Sequence, residues 1–164
     1  NRKSLAIKMS WNDYVTYMTT DNVCESAYII GKDGTLWAGT SNNVFSTYNV
    51  EIANETDGAL NVKISIDEKK NFFNALANEG VCKEQGGIRI AGEKYFSTHF
   101  DGEKGVWYIK KNGGGACVAQ TNQGILIGVY NSSKMITSSN SPQNPGATNK
   151  VVEALQEMLK GANF

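Results

Sequence analysis

The side chains of this sequence with most to offer are aromatic. Trp11, Tyr14, Val15 and Met18 fall at i, i+3, i+4 and i+7, which gathers two large rings and two aliphatic groups on one stripe of a helix. Trp37 stands in a β-like run behind the turn Lys32-Asp33-Gly34. Rings so spaced serve either ordinary core packing or an exposed groove of the kind that docks proline-rich segments, whose preformed extended helix loses little entropy on binding. Groups for covalent chemistry are sparse. His99 is the one histidine and no Gly-x-Ser-x-Gly elbow occurs, so a pairing of His99 with Cys82 or Cys117 is the nucleophile arrangement left to test. The run Asn112-Gly113-Gly114-Gly115 joins two β-like segments without opening a helix, and reads as a hairpin turn and not as a phosphate cradle. The cysteines Cys24, Cys82 and Cys117 are widely separated with no CxxC pair. No metal, no cofactor and no enzymatic activity are expected.

Composition narrows the classes further. A chain of 164 residues, 40% hydrophobic and 20% charged, has room for one sizeable core. Lys plus Arg (16) balances Asp plus Glu (16), so no global field exists to hold a nucleic acid. No apolar run approaches the length a bilayer span needs. Three cysteines without a stapling pattern read as reduced thiols in a cytosolic protein. Residues 1–8 precede Met9 and lack signal-peptide features. They are read as a tail or expression remnant, with 9–164 as a single domain.

The elements that must position the rings follow from the pattern. Ser10 with Asp13 forms a capping box for the first helix. The Asp33-Gly34 turn predicts a hairpin between 24–31 and 35–40. A polar stretch, 41–63, reads as a long connection with room for a small hairpin of its own, and the insert 42–63 within it as dispensable for folding. Ser65 and Glu68 have capping-box spacing ahead of a second helix over 66–78. β-like runs near 87–91, 94–100, 105–110 and 116–130, the last divided at 121–124, predict an antiparallel meander. After a Ser/Asn/Pro-rich loop, Thr148 or Asn149 is the expected cap of a last helix carrying Val151, Val152, Leu155, Met158 and Leu159 on one face. Without βαβ alternation the class is α+β, an antiparallel sheet with helices on its faces.

Ser10-Trp11-Asn12-Asp13-Tyr14-Val15, Gly34-Thr35-Leu36-Trp37-Ala38, Ile90-Ala91-Gly92-Glu93-Lys94-Tyr95, Gly114-Gly115-Ala116-Cys117, Thr121-Asn122-Gln123-Gly124-Ile125-Leu126-Ile127-Gly128-Val129-Tyr130 and Val151-Val152-Glu153-Ala154-Leu155, taken in order, resemble profilin. The resemblance implies a central antiparallel sheet with the terminal helices together on one face and a further helix on the other. It implies a monomeric, cytoplasmic, cytoskeleton-associated protein that binds monomeric actin, regulates its polymerisation and delivers it to proline-rich partners such as formin-type assembly factors. Trp11, Tyr14 and Trp37 stand at the family's aromatic positions for poly-proline. Met158 replaces a Tyr or His of many members, Leu159 matches, and Phe164 takes a place usually held by Tyr. For actin, the resemblance points to Lys94, His99, Lys110, Lys111, Gly146, Asn149 and Lys150, and for phosphoinositide lipids to Lys94, Lys110 and Lys111. Two stretches, 42–63 and 131–146, are longer than in many profilins. The competing readings are a phosphoinositide-regulated adaptor with weak or no actin binding, and a sensor domain with a small ligand enclosed in its core.

Overall fold

A computed structural model describes residues 9–54, 56, 58 and 60–164; the tail at 1–8 and Asp57 of the Asp57-Gly58 turn lie outside the described residues. Helix α1 (Trp11–Thr19) starts at the expected capping box, with Ser10 accepting from the Asp13 N–H and Asp13 reaching back to the Ser10 N–H at 2.9 Å. Strands β1 (Ser26–Gly31) and β2 (Leu36–Gly39) flank the Asp33-Gly34 turn, where Gly34 takes φ +86° and the Asp33 carboxylate accepts from the Thr35 N–H.

The meander follows as β5 (Ile88–Ile90), β6 (Glu93–Asp101), β7 (Val106–Lys111), β8 (Gly114–Gln120) and β9 (Gly124–Asn131). These strands and the first hairpin form one antiparallel seven-stranded sheet, ordered β2-β1-β9-β8-β7-β6-β5. Alternation sorts its side chains. Tyr28, Ile30, Trp107, Ile109, Val118, Ile125 and Ile127 pack with Phe72 and Ala75 of helix α2 (Glu68–Ala77) on one face. Ile29, Cys117 and Leu126 pack on the other with Tyr14 and Met18 of α1 and Leu155 and Leu159 of helix α3 (Pro145–Gly161). Strands β8 and β9, covered on both faces, are accordingly buried almost throughout.

Two caps differ from expectation. Helix α2 is capped by Asp67, whose carboxylate accepts from the Lys70 N–H, because Ser65 is still paired in a strand. Helix α3 begins earlier than predicted. Asn144 caps it by accepting from the Ala147 N–H, and Pro145 occupies the first turn, where its missing N–H has no partner to lose.

The stretch 41–63 is more ordered than a connection. Strands β3 (Thr47–Ala53) and β4 (Asn61–Asp67) form a separate two-stranded sheet, with Tyr48 opposite Ile66, Val50 opposite Ile64 and Ile52 opposite Val62 on its apolar side. Its base is anchored by the fully buried Glu68, which accepts from the Ser46 N–H (2.8 Å), the Tyr48 hydroxyl (2.7 Å) and the Gly92 N–H (2.9 Å). Val44 belongs to the main core and Phe45 packs against it, so the expectation that all of 42–63 is dispensable is too broad. Replacing 49–64 with a tight turn while keeping Val44, Phe45, Tyr48 and Ile66 should leave one cooperative unfolding transition by circular dichroism. Loss of that transition would make the hairpin an integral part of the domain.

The second long stretch, 131–146, holds the short hairpin β10 (Met135–Ile136) and β11 (Ser141–Pro142). It is tied to the turn after α1. The Thr137 N–H donates to the Asp21 carbonyl at 2.9 Å, the Ser138 N–H to the Asp21 carboxylate at 2.8 Å, and the Asn22 side-chain amide to the Met135 carbonyl at 2.8 Å.

Candidate functional site

Three elements bring the aromatic residues together at one edge of the terminal-helix face. The Trp11 ring lies 4.9 Å from Trp37 and 5.7 Å from Tyr14, and Phe164 meets it edge-on at 5.8 Å. Trp11, Trp37, Met158 and Phe164 are half-buried and form an accessible rim. Tyr14 and Leu159 do not share that exposure: they are 2% and 0% exposed and make the layer beneath the rim. Sequence reasoning passed over the floor. A Cβ on Gly31 would stand 3.1 Å from Trp37 Nε1 and one on Gly124 2.8 Å from Trp37 Cζ3, so this pair of facing glycines is what lets the indole lie against the sheet. The available signal was two glycines opposite each other at the ends of apolar strands. The chain end is held in place as well, since the Gln123 N–H donates to the Phe164 carbonyl at 2.9 Å and the Gln123 amide to the Asn163 carbonyl at 3.0 Å.

A second surface arises because α1 packs on β1 and β2 and α3 on β8 and β9, which leaves β6 and β7 open on the same face. Lys94, Phe96, Thr98, His99, Tyr108 and Lys110 occupy it. Phe96 is 62% exposed, with the Lys94 ammonium 5.3 Å from its ring centre. The His99 ring stacks parallel to Tyr108 at 6.0 Å. Burial, followed by the Glu153 carboxylate that accepts its hydroxyl at 3.1 Å, pushes Tyr108 up to about 12. A small cavity of about 150 Å³ lies between Thr98, Tyr108, Lys110, Pro145 and Asn149, which joins the start of α3 to this surface. Gly146 and Lys150 are exposed on the first turns of α3. An open cleft of about 710 Å³ continues from Phe96 and His99 toward Val81 and Cys82.

Lys111 does not join them. Its side chain is 7% exposed, pairs with Glu93 at 2.5 Å and Glu25 at 3.9 Å, and sits 5.8 Å from the Tyr95 ring centre. Alternation along β7 turns Lys110 to the open face and Lys111 to the α2 side. The basic pair inferred from the resemblance is thus split across the sheet.

The nucleophile arrangement fails on chemistry. Cys82 and His99 line one cleft, but the Cys82 thiol donates to the Glu84 carboxylate at 3.6 Å and burial pushes its pKa up. Burial likewise raises Cys24 to about 11 and lifts Cys117, so the thiols stay protonated and weakly nucleophilic. Among the described residues there is no cluster of His, Cys, Asp and Glu able to hold a metal ion, and no helix is long and apolar enough to cross a membrane.

The family model for profilin matches residues 9–164. A profilin of Tetrahymena pyriformis is 37% identical over 158 residues, covering 94% of this chain and 98% of that protein. Profilin IA of Acanthamoeba castellanii has the same fold at a TM-score of 0.66 and 26% identity, covering 94% of this chain and 100% of its own. Two more distant solved structures share the fold alone: mouse profilin IIa in complex with a double repeat from the FH1 domain of mDia1 (15% identity, TM-score 0.59, coverage 95% and 100%), and LokiProfilin2 in complex with rabbit actin (18%, 0.58, 93% and 98%). A match running from residue 9 to residue 164, joined to a relative this similar over nearly its whole length, makes this chain a member of the profilin family.

Proposed function

We propose that this chain binds monomeric actin through the open face of β6 and β7 with the start of α3, and proline-rich segments through the aromatic groove. Profilins are not enzymes, and its role is to regulate actin polymerisation and carry actin to proline-rich assembly factors of the formin type, in the cytoplasm at the cytoskeleton. The observation that carries the groove is the accessible ring pair Trp11–Trp37, 4.9 Å apart at the junction of α1, β2 and the chain end. Rings left half-exposed give up burial that a flat, preformed proline helix can supply. The indole N–H groups are the donors suited to proline carbonyls. Met158 and Phe164 add apolar contact without a hydroxyl or imidazole.

On the actin side the contact set is Lys94, His99, Lys110, Gly146, Asn149 and Lys150, with Phe96 added. Lys111 is left out because its charge is already neutralised. Lys94 and Lys110 are also the residues that remain for phosphoinositide head groups. Titrating the protein with actin monomers and, separately, with a decaproline peptide tests both faces. Micromolar binding of each is expected, and the failure of either overturns that half of the reading. Lys110→Glu combined with Lys150→Glu should weaken actin binding about tenfold and leave the peptide affinity unchanged, since charge reversal acts on the acidic partner alone. Unaltered actin affinity in that variant would remove these positions from the interface.

A further inference from the structure

The groove has a charged end that its rings do not explain. The nitrogen edge of Trp37 lies over Gly31. The next residue, Lys32, extends its ammonium to Gln120 Oε1 at 3.4 Å. The Gln120 carbonyl in turn accepts from Gln156 Nε2 at 2.7 Å, and Lys160 follows Gln156 by one helical turn on the same flank of α3. Lys32 thus bonds Gln120 directly, and Lys160 lies one helical turn beyond the residue of α3 that bonds it, two cations from separate elements on the same side of Trp37. Burial and the Lys160 charge together pull the Lys32 pKa below its ordinary value. Lys160 sits in the last turn of α3, where the helix dipole favours a positive charge; Lys32 has no such reason to be there.

Among the described residues, neither ammonium has a carboxylate within ion-pairing distance. Two acids of the same elements, Asp33 and Glu153, are engaged with other groups. Asp33 accepts from the Thr35 N–H and hydroxyl, both at 2.9 Å, and Glu153 accepts from Tyr108 and pairs with Lys104. Glu157, exposed on α3, stands three residues before Lys160.

We propose that Lys32 and Lys160 select proline-rich segments that carry acidic residues just outside the proline tract. The prolines lie on Trp11, Trp37 and Phe164, and the acidic flank meets the two ammonium groups. Charge complementarity identifies this occupant: a ligand of this kind relieves the repulsion between the two lysines, whereas a basic flank adds to it. The inference deepens the proline reading of the groove and rests on it.

The test uses decaproline, decaproline with two aspartates at its N-terminal or its C-terminal end, and decaproline with two lysines, each titrated by calorimetry into the parent protein and into Lys32→Ala/Lys160→Ala. One of the two acidic peptides should bind the parent about three- to tenfold more tightly than plain decaproline at low salt, and the lysine peptide more weakly. That advantage should shrink toward nothing at about 0.5 M salt. In the double variant it should vanish while plain decaproline binds as it does to the parent, which shows the groove intact. If plain decaproline binds and the acidic peptides bind no more tightly, the inference is overturned and the groove stands. If no peptide binds, both fall. If the acidic peptides show no advantage and the double substitution instead reduces capture on vesicles containing phosphatidylinositol 4,5-bisphosphate, the lysines serve a lipid surface and the proposal is overturned.

Discussion

Replacing Trp37 with alanine is expected to weaken proline-peptide binding by about a hundredfold, which corresponds to about 3 kcal/mol. Burial of apolar surface stabilises by about 25 cal/mol per Å², so a ring offering roughly 80 Å² contributes about 2 kcal/mol by area. The remainder comes from what the indole supports. Trp11 loses its 4.9 Å neighbour, and the Gly31–Gly124 floor becomes a wet notch where a wall stood. Trp37→Phe keeps a ring over those glycines and should fall between parent and alanine variant. Calorimetry with decaproline measures the loss, a thermal melt of each variant separates it from unfolding, and tryptophan emission of the parent should shift when peptide is added. Equal affinities for parent and Trp37→Ala would mean that these rings only fill the core here.

Lys111→Glu should lower stability by about 3 to 5 kcal/mol, seen as a fall in the denaturant midpoint and in Tm. The substitution places a carboxylate in a site that is 7% exposed and already holds those of Glu93 and Glu25. Three negative charges then share a space shaped around one ammonium. Lys110→Glu, on the exposed side of the same strand, should change stability by no more than about 0.5 kcal/mol. Loss of actin binding in Lys111→Glu would therefore report an unfolded fraction. A stability equal to the parent's would show Lys111 to be a solvated charge after all and return it to the candidate contacts.

Local rules were sufficient wherever a feature is settled within a few residues. The Ser10–Asp13 box, the Asp33-Gly34 turn and the turn-separated β-like runs of the meander each depend on neighbours in the chain, and each is present. Where two local signals competed, tertiary pairing decided. Ser65 has the spacing of a cap, but its pairing with Asn49 in the small hairpin leaves Asp67 to start α2. Thr148 has cap chemistry too. It lies fully buried in α3, because Asn144-Pro145 supplies a start one turn earlier. The small hairpin itself was half legible: its apolar residues alternate, but only the bonds that the Glu68 carboxylate accepts from Ser46, Tyr48 and Gly92 show what holds its base.

The sequence by itself determined the class, the order of elements, the family resemblance and the identity of the rings, since each is encoded in periodicity, turn residues and ordered motifs. Tertiary structure alone decided which of those residues can be reached. Trp11 and Trp37 come from a helix and a strand that meet only when α1 packs on the β1–β2 hairpin, and the packing of both terminal helices on the sheet puts Tyr14 and Leu159 out of reach beneath them. Adjacent lysines in a strand point to opposite faces, so what surrounds each face, and not the charge itself, leaves Lys110 free for a partner and commits Lys111 to Glu93.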